Sequence, residues 1–276
     1  MAITLPGKVF FVGAGPGDPG LLTVKAAKIL QSADVVVADR LVGEDIIAEY
    51  VNASTQVIAV GKQGGSGASK PQEEINKMLV KLAKRHASVV RLKGGDVTIF
   101  SNILDELAAL VAANIPYELV PGITAVSGAA AYAGIPLTAR NHSTGVRILT
   151  YYQTAAISNE AWQELAKFED TLVFYMSGST LHSIVSKLLQ AGAEPTMPFA
   201  VVEQATTPHQ HVHLFTLEEF ILRQRDAQFT SPSLVIMGRV AGLYPQFSWL
   251  PNSGDRSAYF TPLQGQGQRL LAGQKL

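Results

Sequence analysis

Short β-branched runs alternate with amphipathic stretches along most of the chain. The first half predicts strands near residues 9–12, 35–38, 57–60, 88–92 and 117–120. Ahead of the fourth run, Ile75, Met78, Leu79 and Leu82 recur at i, i+3, i+4 and i+7, the spacing of one helix face. Ser69 followed by Gln72 offers a capping box for that helix. Strand–helix alternation predicts a parallel α/β sheet, since each crossover helix must cover a sheet face.

The pattern then resets. A small-residue helix is predicted over 124–133, ended by Gly134-Ile135-Pro136. Further strands follow at 146–150, 171–175, 199–202, 211–215 and 233–237. The helix at 180–190 carries Leu181, Ile184, Val185, Leu188 and Leu189 on one stripe. A predicted hairpin among these strands makes the second sheet mixed. The expectation is two α/β domains, 1–120 and 121–244, with a ligand cleft between them, and a polar tail or arm over 245–276. That last stretch is rich in Gln, Gly, Pro and Ser and has no period.

Composition narrows the function. With 22 basic and 22 acidic residues the formal net charge is +0, which argues against a nucleic-acid partner bound through a broad basic surface. The chain has no cysteine, so disulfides, thiolate metal sites and a cysteine nucleophile are excluded, in keeping with a reducing cytoplasm. The longest weakly polar stretch, 123–137, is too short to span a bilayer and contains Thr124, Ser127 and Gly128. No membrane partner is therefore expected.

Two glycine–acid loops carry the candidate chemistry. Gly13-Ala14-Gly15-Pro16-Gly17-Asp18 follows the first strand, with Thr23 as the cap of the next helix. Gly94-Gly95-Asp96 follows the fourth, at the carboxyl edge where open α/β sheets bind ligands. Asp39, at the end of the second strand, stands where a dinucleotide fold keeps its ribose-binding acid, which raises a nicotinamide-dependent oxidoreductase as one alternative. Against it, Asp18 occupies the place of the third glycine, and Pro16 removes a donor that a pyrophosphate cradle needs. His209, His211 and His213 alternate on one predicted strand, but alternating polar residues on a half-exposed strand need no metal, and none is expected.

A series of ordered motifs resembles one family. They are Val12 to Pro19, Asp39-Arg40-Leu41-Val42, Val60-Gly61-Lys62, Pro71 to Asn76, Val90 to Asp96, Val120 to Ala125, and Ala133 to Thr138. Phe174-Tyr175-Met176 and Thr206-Thr207-Pro208 continue them. Together they resemble the uroporphyrinogen-III C-methyltransferases of the tetrapyrrole methylase superfamily. The resemblance implies a homodimer that holds S-adenosylmethionine in the cleft between two α/β domains and releases S-adenosylhomocysteine. It implies cofactor contacts at Pro16, Gly94, Gly95, Asp96, Ile99, Thr124, Ala125, Met176 and Ala205. It also implies Asp39 as proton acceptor and Lys62 as proton donor. A substrate rich in carboxylates calls for a local cluster of cations, for which Arg40, Lys93, Arg140 and Arg147 are the candidates, with His142 beside them. The implied reaction is methylation of uroporphyrinogen III at C2 and C7 to give precorrin-2, for sirohaem or cobalamin.

One segment departs from the family pattern. Gly-Gly-Asp is usually followed by Pro-Phe-Ile-Phe-Gly-Arg-Gly-Gly-Glu-Glu, whereas here Val97-Thr98-Ile99-Phe100-Ser101-Asn102-Ile103-Leu104-Asp105-Glu106 follows. Asn102 stands in place of an arginine, and Ile103-Leu104 in place of glycines is expected to extend a regular helix. A later precorrin C-methyltransferase is the alternative this raises. The glycines at 64–67 have the composition of a mobile lid.

Overall fold

The computed structural model describes residues 6–60, 71–151, 157–167, 169–224, 227–261 and 263. It divides into two units, Met1–Ala125 with Phe260–Leu276, and Val126–Tyr259. The division falls a few residues beyond the expected 120, because the loop after the last strand of the first sheet stays with that sheet.

The first unit is a five-stranded parallel sheet. Its strands are β1 (Lys8–Gly13), β2 (Val35–Ala38), β3 (Gln56–Ala59), β4 (Ser88–Lys93) and β5 (Tyr117–Val120), and its helices α1 (Val24–Gln31), α2 (Glu44–Tyr50), α3 (Gln72–Ala83) and α4 (Leu104–Ala112). The spatial order is β3-β2-β4-β1-β5. Val12, Val36, Val90 and Leu92 pack with Ala26 and Leu30 of α1 and Ile46 and Ile47 of α2 on one face. Val9, Phe11, Val35, Val37 and Val89 pack with Ile75 and Leu79 of α3 and Leu110 of α4 on the other. Alternate residues of a strand face opposite ways, so runs apolar at both parities require helices on both faces.

Thr23 caps α1, its hydroxyl accepting from the Ala26 N–H. Helix α3 differs from the expectation. It begins at Gln72 behind Pro71 and has no side-chain cap, while Ser69 lies outside the described residues. The Gln72 amide turns instead to Asn76 and to Glu106 of α4. The predicted extension of α4 also fails. The helix starts at Leu104, because Phe100 and Asn102 take φ of 51° and 51°, in the left-handed region that interrupts a right-handed helix.

The second unit contains α5 (Ala125–Ala133), β6 (Val146–Thr150), α6 (Asn159–Ala166), β7 (Thr171–Tyr175), α7 (Leu181–Gln190), β8 (Pro198–Glu203), β9 (His211–Thr216), α8 (Leu217–Arg223), β10 (Ser233–Met237) and α9 (Tyr244–Phe247). Its sheet, ordered β6-β7-β10-β8-β9, is parallel only between β6 and β7. Trp162, Leu181, Ile184, Leu188 and Phe220 cover one face. Val126, Ala129, Ala130 and Ala133 of α5 cover the other with Val240 and Ala241.

The expected polar tail begins as an arm fixed to this unit. The Trp249 indole donates to the Ala131 carbonyl (2.8 Å) and meets Tyr132 edge-on, with ring centroids 5.5 Å apart. Asn252 accepts from the Val212 N–H (2.7 Å) and donates to the Val212 carbonyl (3.0 Å). Single anchoring side chains do this work, which a search for apolar period overlooks. Beyond it, Leu263 packs against the α1/α2 face of the first unit.

Candidate functional site

Strand order locates a site in the first unit. From β1 the chain moves through α1 to β2 on one side, and from β4 it moves through α4 to β5 on the other, while β1 and β4 are neighbours. Loops leaving adjacent strands in opposite directions open a crevice at the carboxyl edge of the sheet. The two loops there are the two glycine–acid loops.

They are joined directly. Gly15 N–H donates to the Gly95 carbonyl (3.1 Å) and Gly95 N–H to the Gly15 carbonyl (2.7 Å), an isolated antiparallel bridge. Gly95 takes a left-handed φ of 68°, which a glycine adopts without strain. A Cβ added to Gly122 would lie 2.4 Å from the Gly95 carbonyl oxygen and 2.8 Å from Gly13, so three backbones cross where no side chain fits. In contrast, a Cβ on Gly95 would meet nothing nearer than the Ala125 nitrogen at 3.7 Å. One side of this bridge is packed solid and the other is an open, backbone-lined edge.

Asp96 braces the loops. Its carboxylate accepts from the Thr98 N–H (2.8 Å) and hydroxyl on one oxygen and from the Gly122 N–H (2.9 Å) on the other. Burial alone would raise this carboxyl. Hydrogen bonds from Thr98, Gly122 and Val97 outweigh it and hold the group below its ordinary 3.8. Ala14 N–H goes to the Lys93 carbonyl (2.8 Å), Gly15 N–H to Gly95, and Pro16 has none. Through Ala14-Gly15-Pro16 the first loop therefore offers no free donor to a pyrophosphate, which counts against the nicotinamide alternative.

Beside the loops lies a buried cluster of four charges. Val35, Val37 and Asp39 continue one face of β2, next to Val89, Arg91 and Lys93 of β4, and α4 brings Glu106 down onto that face. Arg91 Nη2 donates to Asp39 Oδ1 (2.6 Å) and its Nε to Glu106 Oε1 (3.1 Å). Lys93 Nζ stands 3.6 Å from Asp39 Oδ2 and 3.5 Å from Glu106 Oε1. Arg91, Lys93 and Glu106 are 2%, 6% and 0% exposed in their side chains, against 31% for Asp39. Asp39 is the member that reaches solvent, and both its oxygens are oriented from beneath by cations. Burial, and then the charge of Arg91, push the Lys93 ammonium below its ordinary 10.5.

Other expected residues fall as follows. Pro16 is buried, Gly94 and Thr124 half-buried, and Ile99 36% exposed on the loop after Asp96. Ala125 opens α5, whose Val126 N–H donates to the Tyr175 hydroxyl (2.8 Å). Met176, at the end of β7, is 49% exposed with a left-handed φ of 53°. Ala205 sits between Gln204 and Thr206, with φ of 46° and 67°. Left-handed non-glycine residues cost roughly 1–3 kcal/mol each and gather at ligand sites.

Arg40 and Arg140 are exposed and Arg147 is half-buried on β6. Lys93 departs from the expectation of an exposed substrate ligand, since its ammonium is enclosed by Asp39 and Glu106. Lys62 and residues 64–67 lie outside the described residues. Arg91 and Glu106 escaped the sequence reading. Their signal was a cation inside an apolar strand and an acid on the apolar stripe of a helix, which a core rarely accepts unpaired.

The histidines find local partners. His213 Nε2 is 3.2 Å from Glu203, and His209 Nδ1 is 3.0 Å from the Ser257 carbonyl. Among the described residues no helix is long and apolar enough to cross a membrane.

A family model for Tetrapyrrole (Corrin/Porphyrin) Methylases matches residues 8–221. Siroheme synthase of Acinetobacter baylyi is 45% identical over 244 residues, 88% of this chain and 53% of that protein. Siroheme synthase of Escherichia coli is 45% identical over 246 residues, 89% of this chain and 53% of that protein. The chain thus spans about half the length of these curated relatives. Among solved structures, uroporphyrin-III C-methyl transferase from Thermus thermophilus, complexed with S-adenyl homocysteine, superposes with a TM-score of 0.73 at 34% identity, covering 86% of this chain and 100% of that one. Cobalt precorrin-4 methyltransferase, a cobalamin biosynthetic enzyme, superposes at 0.75 with 28% identity, covering 85% of this chain and 95% of that one.

Proposed function

The chain belongs to the tetrapyrrole (corrin/porphyrin) methylase family, and from that premise we propose that it is an S-adenosylmethionine-dependent C-methyltransferase converting uroporphyrinogen III into precorrin-2 by methylation at C2 and C7. The observation that carries this reading is the open, backbone-lined edge at Gly95, held by its bridge to the buried Gly15 and lying beside a solvent-reaching Asp39. The donor supplies an electrophilic methyl group on sulfonium sulfur, transferred to a pyrrole carbon as the carbon–sulfur bond breaks. The residues that would hold it are small or act through their backbones: Pro16, Gly94, Gly95, Ile99, Thr124 and Ala125, with Met176 and Ala205 of the second unit. Asp96 contributes through the turn it braces.

Asp39 takes the proton that the cationic ring system left by methylation must lose from a carbon beside the methylated one, and Arg91 and Lys93 fix the direction of its carboxylate. Arg40, Arg140 and Arg147 meet the substrate's carboxylates. Orientation of the reacting carbon against the methyl group supplies most of the rate. Lys62 as proton donor, a homodimeric assembly and a cytoplasmic location belong to the same proposal.

Anaerobic incubation with uroporphyrinogen III and S-adenosylmethionine, followed by mass analysis, should show a gain of two methyl groups. An unmodified macrocycle would reject the reading. Asp39→Ala should lower the single-turnover rate roughly a hundredfold, and an unchanged rate would remove Asp39 from the chemistry. A second reading, methylation of a later precorrin, is favoured by the resemblance to cobalt precorrin-4 methyltransferase and by Asn102 in place of arginine. Methylation of a precorrin acceptor alone would select it.

A further inference from the structure

Between β8 and β9 the chain makes a buried polar turn around Ala205. Gln204, Thr206, Thr207 and Gln210 are each under 5% exposed. Gln204 N–H donates to the Pro232 carbonyl (2.7 Å), Thr206 N–H to Gln210 Oε1 (2.8 Å), and Thr207 N–H and hydroxyl to the Gln204 carbonyl (3.2 and 2.8 Å). Gln204 and Thr206 nevertheless hold left-handed φ values. For a β-branched threonine that conformation persists only where the surroundings over-determine it.

What over-determines it is the C-terminal arm. The Gln204 side-chain amide donates from Nε2 to the Ser257 carbonyl (2.9 Å) and accepts at Oε1 from the Tyr259 N–H (2.7 Å). That is the two-bond pattern a neighbouring strand would make, supplied by one side chain. The neighbouring contacts reinforce it. Arg256 Nη1 reaches Glu203 Oε2 (3.0 Å), Ser253 N–H donates to the Gln210 carbonyl (2.9 Å), and the His209 ring meets Tyr259 edge-on at 5.7 Å. These arm residues lie beyond 221, where the family match ends, whereas Gln204 lies within it.

We propose that Gln204 is a positioning residue for the methyl donor, acting through Ala205, and that the arm over 252–259 sets donor affinity by clamping the Gln204 amide. The proposal rests on the donor contact at Ala205 proposed above. The clamp holds the left-handed Gln204 and Thr206 on either side of Ala205, so the Ala205 backbone is already in place and the flanking strain is not released at the moment of binding.

The test is calorimetric titration of the full chain with S-adenosylhomocysteine, alongside the Michaelis constants for donor and tetrapyrrole. Gln204→Ala should weaken S-adenosylhomocysteine about tenfold through loss of two backbone hydrogen bonds. It should raise the donor Michaelis constant in step while leaving that of the tetrapyrrole unchanged. Arg256→Ala, which loosens the arm without touching the amide, should give a smaller shift in the same direction. Leu188→Ala, in the core of the same unit, should lower the melting temperature without moving donor affinity. If the unaltered chain fails to bind S-adenosylhomocysteine, the methyl-donor function falls and this proposal with it. If the unaltered chain binds and Arg256→Ala and Gln204→Ala bind equally well, the clamp alone is overturned. Should Gln204→Ala not fold, unchanged affinity in Arg256→Ala overturns it.

Discussion

The carboxyl edge of the first sheet and the β8–β9 turn of the second unit are both narrow polar structures, yet they are fixed in opposite ways. At the edge, Gly13, Gly95 and Gly122 pack backbone against backbone, and the geometry exists because side chains are missing. At the turn, Gln204, Thr207 and Gln210 wrap the backbone in side-chain hydrogen bonds, and a distant part of the chain closes the wrap. The first arrangement tolerates no added atom at Gly13 or Gly122. The second tolerates no lost polar group.

The largest expected effect tests where that contrast breaks down. Beneath the edge, Arg91 and Lys93 depend on the fully buried Glu106, and removing one partner of a buried ionic cluster costs about 3–5 kcal/mol. Glu106→Ala should show this in denaturant unfolding, and a cost near zero would mean that the cluster contributes no net stability. Next, Gly122→Ala should destabilise by roughly 1–3 kcal/mol, since the new atom would meet backbone that cannot swing away. A stable Gly122→Ala would dissolve the contrast.

Acid should separate the two regions more gently. Burial first, and then the charges of His213 and Arg256, push His211 below its ordinary 6.5, so the folded chain resists a proton that the unfolded chain accepts. Its contribution is complete above about pH 6.5 and declines as pH falls from there. Burial would raise Glu203, but hydrogen bonds from His213 and Thr230 and the charge of Arg256 hold it below 4.5, and Asp96 stands below 3.8. Both carboxylates lose their contributions only at lower pH. Amide-exchange protection should therefore fall first around Val212 and last around Gly122. The smallest effect is Asn102→Gly, which relieves a left-handed φ on an exposed residue. It should change stability by less than about 0.5 kcal/mol, and a larger gain would show that this loop stores more strain than the turn.

The same contrast explains what was legible in the sequence. Strands and amphipathic helices announce themselves by period, so β2, β5, β6, β7 and β10 fall on their predicted residues, and β3 lies one residue early. Glycine loops were legible because a missing side chain is visible in a one-dimensional string. The ion cluster was not, since Arg91 and Glu106 are 15 residues apart and only the β4–α4 crossover joins them. The arm was not, because Trp249, Asn252, Arg256 and Tyr259 each act alone in a stretch whose composition suggests little order. Polar residues whose partners are remote in sequence leave no local pattern to find.

Asn252 carries one further consequence. In the outermost strand of the mixed sheet, the Val212 N–H and carbonyl point away from β8, where a foreign segment could be laid down as an additional strand. A single amide already occupies both groups. It blunts the template on which fibrils and unwanted oligomers begin, without lengthening the sheet.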